Sequence, residues 1–177
     1  FIAEADTALY RAKSGGRNDF RVFEPEMIEA ADIQKSMESE LRDALSRSEF
    51  ELYYQPVIDA KTRRVCGAEA FVRWHHPSRG LLTLDQFLPL AQSTGLMLPL
   101  GEWILQQACT DAATWPPHIR IAVNISAVQF SKGNLFDLIL CALVDSGLSP
   151  ELLELGISEV PLLHQAQAAH LQTIRRV

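Results

Sequence analysis

The sequence predicts an α/β fold in which a β-hairpin leads into the first half of a (β/α)8-type barrel. Three observations carry this expectation. Two strand-like stretches, residues 50–57 and 65–74, are joined by a short polar turn, which favours an antiparallel hairpin. Beyond them strand and helix patterns alternate, as in a parallel sheet with crossover helices. Residues 49–177 supply about half of the ~250 residues of a complete barrel.

Residues 1–13 read as the end of a helix, with Ile2, Ala5, Ala8, Leu9 and Ala12 at three- and four-residue spacing, and Ser14-Gly15-Gly16-Arg17-Asn18 as its stop. Residues 20–23 alternate as a short strand. Pro25 suits the first turn of a second helix, which runs to about residue 47 as an interdomain linker with an apolar face that includes Met37, Leu41 and Ala44. Thr83-Leu84-Asp85-Gln86 fits a capping box, so a helix starts near Leu84. A helix is expected over 102–115, where Pro116-Pro117 forbids continuation. A strand follows at 119–125, a helix at 135–145 closed by Ser146-Gly147, a strand at 152–158 and a helix at 164–177. The chain opens on Phe and stops within a helical pattern, so a sequence truncated at both ends is expected.

Composition narrows the function. The 177 residues are 47% hydrophobic and 21% charged, as in a globular domain, and the net charge is −6. An acidic chain offers no broad basic footprint for DNA or RNA, although a local nucleotide site is compatible with it. Cys66, Cys109 and Cys141 form no CxxC pair, which argues against a thiolate zinc site or a disulfide framework and for a reducing, cytoplasmic setting. The longest uncharged stretch, residues 86–101, is interrupted by Pro and Gly and falls short of the ~20 apolar residues of a membrane span.

Alternation sorts the strands into faces. Gly67, Glu69, Phe71 and Arg73 share one face, and Ala68, Ala70, Val72 and Trp74 the other. Glu69 and Arg73 are either a pair that reaches a ligand or a salt-bridged surface edge. Asn124, in an otherwise apolar strand, is either a ligand-site residue or a cap of the following loop. Gly156 weakens its strand, which indicates close approach of a ligand or backbone, or a lost side chain. His75-His76 read as loop polarity, and Trp74, Trp103 and Trp115 as core or interface bulk.

These residues carry a resemblance. Residues 5–13 with Gly16-Arg17-Asn18 resemble the last helix and turn of a GGDEF domain, which makes cyclic di-GMP when intact. From about Glu38 the chain resembles an EAL domain, the family that hydrolyses cyclic di-GMP. The matches are Tyr54-Gln55-Pro56-Val57, Gly67 through Trp74, His76-Pro77, Phe87-Leu88-Pro89-Leu90-Ala91, Thr94-Gly95-Leu96, Leu100-Gly101 with Trp103, and Val123-Asn124-Ile125-Ser126 with Gln129-Phe130. The resemblance implies residues 1–24 as a GGDEF tail, 25–48 as a linker helix and 49–177 as the N-terminal half of an EAL domain. It also implies a modified TIM-type barrel with an antiparallel first strand. Active members use two divalent cations, Mg or Mn, to hydrolyse a phosphodiester. By position, Glu69 and Asn124 would be metal ligands, and Gln55, Arg73 and the backbone near Phe71 and Val72 would contact the dinucleotide.

Three departures from the family pattern stand out. Glu69-Ala70-Phe71 replaces Glu-Ala-Leu, Gln92 replaces an acid, and Gly156 replaces a metal-binding Glu; Glu159 is kept. The expectation is therefore a catalytically inactive cyclic di-GMP receptor with no catalytic residue, vestigial metal positions and no cofactor retained. It resembles the degenerate GGDEF–EAL effectors of the FimX type, which regulate type IV pili and act with protein partners. The alternatives are an active metal-dependent phosphodiesterase and a nucleotide-independent protein scaffold. A half-barrel with an open sheet edge also makes a homodimer an option.

Overall fold

The computed structural model describes residues 26–131 and 134–157, with side chains from Lys35 onward. The expected helices at 1–13 and 164–177 and the strand at 20–23 lie outside them. The chain divides into two compact units, residues 1–43 and 44–177. Helix α1 (Glu26–Ala44) supplies the described part of the first. Its exposed face is laced by pairs one turn apart, Ser36 to Glu40 at 2.9 Å and Arg42 to Glu38 at 3.3 Å.

The second unit is built on a sheet of β1 (Phe50–Ile58), β2 (Val65–His76), β3 (Gly80–Thr83), β4 (Arg120–Ile125) and β5 (Leu153–Ile157), in the order β1-β2-β4-β5 with β3 also on β2. The expected hairpin is present: β1 and β2 are antiparallel, in register from Phe50 opposite Trp74 to Val57 opposite Gly67. Its turn is shaped by Asp59, whose Oδ1 accepts the backbone N–H groups of Lys61 and Thr62 and the Thr62 hydroxyl, while Arg63 takes a left-handed φ of 57°. The Thr62 bonds hold the Asp59 carboxyl below its ordinary pKa. The expected parallel arrangement follows, with β4 parallel to β2 and β5 parallel to β4.

The helices are α2 (Leu84–Ser93), α3 (Met97–Ala112), α4 (Ala127–Ser131) and α5 (Leu135–Ser146). α2 starts where the capping box places it, with Gln86 Oε1 accepting the Thr83 backbone N–H at 2.7 Å. α5 closes on Gly147 at φ 69°. α3 begins at Met97, five residues before the expected start at Glu102, because Pro99 sits in its first turn, where a missing N–H is harmless. Gly101 is inside this helix for a packing reason: a Cβ there would lie 2.0 Å from Nε2 of the buried Gln129. The sequence reading also missed β3 and α4, which are four and five residues long. His75 and His76 belong to β2 and not to a loop. His76 is buried beside Trp74, and its Nδ1 accepts the backbone N–H groups of Ser78 and Arg79 to shape the turn into β3.

One face of the sheet is covered. Ala68, Ala70, Val72 and Trp74 of β2 and Ile121, Val123 and Ile125 of β4 are all buried. Trp74 and Phe50 meet Phe87 of α2 at ring distances of 5.6 and 5.9 Å, and Phe50 meets Trp103 of α3 at 5.9 Å. Trp74 donates its indole N–H to Glu49 at 3.0 Å, which satisfies the one polar atom this ring brings inside. On the same side Tyr54 donates its hydroxyl to Asp111 of α3 and packs edge-on against Trp115 at 4.9 Å.

Burial, then the Asp111 carboxylate, raise the pKa of Tyr54 above the ordinary 10.0. In the unfolded chain this phenol ionises near pH 10 while the folded chain keeps its proton, so its contribution to stability is present below that pH and declines above it. Thermal melts followed by circular dichroism should fall more steeply above about pH 10 in the natural chain than in Tyr54→Phe. Parallel curves would show that Tyr54 is not the group responsible.

Candidate ligand-binding face

The second face of the sheet is polar and accessible. β1 gives it Glu51, Tyr53 and Gln55; β2 gives Glu69, Phe71, Arg73 and His75; β4 gives Asn124, and β5 gives Glu154 and Gly156. Register builds it in rows. Gln55 lies opposite Glu69, Glu69 beside Ala122, and Ala122 beside Glu154; the next row up has Tyr53 opposite Phe71 and Asn124 beside Gly156. The strand ladders thus bring Gln55, Glu69, Phe71, Arg73 and Asn124 to one face. Val72 does not present its side chain there, being buried on the helix side, and what it offers a ligand is its peptide. The β2–β4 ladder stops at Glu69 and the β2–β3 ladder starts at Arg73, so the peptides of residues 70–72 fall between the two.

Glu69 and Arg73 do not form the salt-bridged edge that was the alternative reading. Asn124 Nδ2 donates to Glu69 Oε1 at 2.7 Å across the β2–β4 pair. Arg73 lies over the Tyr53 ring at 5.7 Å from its centroid. Nor is Asn124 a loop cap, because its amide serves Glu69; the loop after β4 is held instead by Gln129, whose Oε1 accepts the Ser126 backbone N–H at 3.1 Å. Farther down the face Arg120 and Glu154 form an ion pair between β4 and β5.

Gly156 has a specific consequence here. A Cβ built on it would stand 2.4 Å from Oδ1 of Asn124. The Asn124 side chain therefore leans into space that any other residue at position 156 would fill, and from there it turns its N–H toward Glu69. A hard divalent cation requires several oxygen donors directed at one point. Here the Glu69 carboxylate faces a donor N–H, the Asn124 oxygen faces Gly156, and Gly156 brings no donor. Among the described residues no three His, Cys, Asp or Glu side chains are grouped to hold a metal. As placed, Glu69 and Asn124 satisfy each other, and Gly156 adds no oxygen donor between them. Glu159 lies outside the described residues, and Gln92 is exposed on α2, where it touches none of this face.

Residues 38–177 match the EAL domain. The chain belongs to the EAL family. An uncharacterized signaling protein of Caulobacter vibrioides is 42% identical over 176 residues, 99% of this chain and 22% of its own length. The bifunctional diguanylate cyclase/cyclic di-GMP phosphodiesterase MucR of Pseudomonas aeruginosa is 41% identical over 172 residues, 95% of this chain and 25% of MucR. The chain thus spans a quarter or less of these curated relatives. Among solved structures, the MucR phosphodiesterase in complex with c-di-GMP superposes with a TM-score of 0.75 at 38% identity, covering 80% of this chain and 60% of that one. The FimX EAL domain of Xanthomonas citri, in complex with c-diGMP, gives 0.66 at 20% identity over 84% and 56%, a likeness of fold. The EAL fold expected from the sequence is therefore present as a partial domain, and no described helix is long and apolar enough to cross a membrane.

The residue that the sequence reading of this EAL face left out is Tyr53. Its signal was available: it alternates with Gln55 and sits one residue before the matched Tyr54-Gln55-Pro56-Val57.

Gly156→Ala should push the Asn124 amide away from Glu69 and lower stability by about 1 kcal/mol, roughly one exposed charge-assisted hydrogen bond, read from the urea midpoint. Ala normally stabilises a strand relative to Gly, so the sign is diagnostic. In an Asn124→Ala background the same change should cost nothing, and equal losses in both backgrounds would show that the two positions are not coupled.

Proposed function

We propose that this chain is the EAL part of a catalytically inactive cyclic di-GMP receptor, which binds the dinucleotide through Gln55, Arg73, the Phe71 ring and the peptides around Phe71 and Val72. The observation that carries the reading is the engagement of Glu69 by the Asn124 amide beside Gly156. Two side chains that the resemblance assigns to cations are there satisfied by each other, and the rest of the face stays open. The Glu69 and Asn124 positions are then vestigial as metal ligands, and no cofactor is retained. Dinucleotide binding does not need the cations, since Arg73 has a planar fork for phosphate or a guanine edge and Phe71 a face for a base. The 38% identical MucR phosphodiesterase, solved with c-di-GMP, supports the ligand class.

In this reading residues 1–24 are the tail of a GGDEF domain and 25–48 a linker helix. The full-length protein is a cytoplasmic effector that answers the nucleotide by engaging protein partners, as in control of type IV pili or biofilm. A second reading has its own support. MucR, the cyclic di-GMP phosphodiesterase NbdA of P. aeruginosa and the cyclic di-GMP phosphodiesterase PdeR of Escherichia coli are 41%, 35% and 39% identical, so an active Mg- or Mn-dependent enzyme is the competing reading.

Calorimetric titration of the full-length protein with cyclic di-GMP, once in EDTA and once in Mn²⁺, separates the two. The expected result is the same affinity in both buffers and no linear dinucleotide by chromatography. A linear product formed only with Mn²⁺ would establish the enzyme, and no heat in either buffer would leave the nucleotide-independent scaffold.

A further inference from the structure

We infer that Tyr53 is a positioning residue for Arg73: its ring is the shelf over which the guanidinium rests, which leaves its donors for the ligand. This rests on the receptor reading and adds to it a residue that the family resemblance did not supply. Tyr53 stands directly opposite Phe71 on the accessible face and is still 43% exposed, so the Phe71 ring leaves much of it uncovered. What covers it is Arg73, one diagonal step along β2, with its guanidinium carbon 5.7 Å from the ring centroid.

The carboxylate best placed to capture Arg73 is Glu51, its direct cross-strand partner. Glu51 is taken instead by Nε2 of His75 at 2.6 Å. Among the described residues the guanidinium makes one hydrogen bond, a long one of 3.4 Å from Nη1 to the Val72 carbonyl. A guanidinium carries five N–H donors, so most of the fork remains available to a phosphate or a purine edge. An arginine with four flexible torsions, pinned by no carboxylate among the described residues, would lose much rotamer freedom on binding. The ring of Tyr53 limits that loss by holding the group in place beforehand. The hydroxyl of Tyr53 has no part in this, so the ring and not the phenol is the active feature.

A double-mutant cycle on the full-length protein tests the assignment, with cyclic di-GMP affinity measured by calorimetry for the natural chain, Tyr53→Leu, Tyr53→Phe, Arg73→Gln and Tyr53→Leu/Arg73→Gln. Tyr53→Leu should weaken binding about fivefold, the range of an exposed cation–π contact. Tyr53→Phe should restore it to within about twofold, and Tyr53→Leu should cost nothing further once Arg73 is Gln. Equal loss in both arginine backgrounds, or no rescue by Phe, would overturn the assignment while leaving the receptor reading intact.

A nucleotide-independent measurement keeps the two separable. The side-chain protons of Arg73 should show an upfield ring-current shift in NMR spectra that vanishes in Tyr53→Leu and persists in Tyr53→Phe. If that shift is present and no protein binds cyclic di-GMP, the receptor reading alone fails; if it is absent, the shelf does not exist.

Discussion

Everything in the second unit depends on a sheet that is packed on one face only. The apolar set of β2 and β4 is sealed under α2 and α3 by an aromatic cluster around Trp74, a fully buried ring whose loss would cost roughly 3–5 kcal/mol. Strand alternation then obliges every intervening residue to face the other way. The candidate face is thus a by-product of core formation, since burying Ala68, Ala70, Val72 and Trp74 presents Glu69, Phe71 and Arg73. A one-residue slip of β2 would exchange the two sets and destroy core and site together.

Within that face the chemistry turns on which partner Glu69 accepts. A carboxylate at a sheet surface tolerates either a cation or a hydrogen-bond donor, and the choice is set two strands away. Gly156 has no side chain, Asn124 moves into the space, and its amide N–H reaches Glu69 at 2.7 Å. A glycine at position 156 therefore matters for what it leaves open beside Asn124. It lets a neighbouring residue adopt a pose in which Glu69 is satisfied by a neutral group.

Much of this was legible in the sequence because it follows from period and spacing. The hairpin, the parallel order after it, the start of α2 at Leu84 and the end of α5 at Gly147 come from alternation, capping residues and turn glycines. What escaped follows from contacts between distant segments. Pro99 and Gly101 lie before the expected helix start at residue 102, and the approach of Gln129 explains the glycine. β3 and α4 are too short to establish a period. His76 looks like a polar loop residue until its ring nitrogen is seen accepting two backbone N–H groups. At the site, residue types and faces were readable, but the engagement of Glu69 by Asn124 and of Glu51 by His75 was not, because hydrogen-bond pairing depends on side-chain torsions that no local pattern encodes.

The hub position of β2 has a consequence for how this unit opens. β2 is laddered to β1 along one edge and to β4 and β3 along the other, whereas β1 and β5 each have one ladder partner among the described residues. A strand laddered on both edges opens only when both sets of backbone hydrogen bonds break, so the β2 amides should exchange slowly with solvent. Glu69, Phe71 and Arg73 ride on this strand, so their mutual spacing is held from both sides.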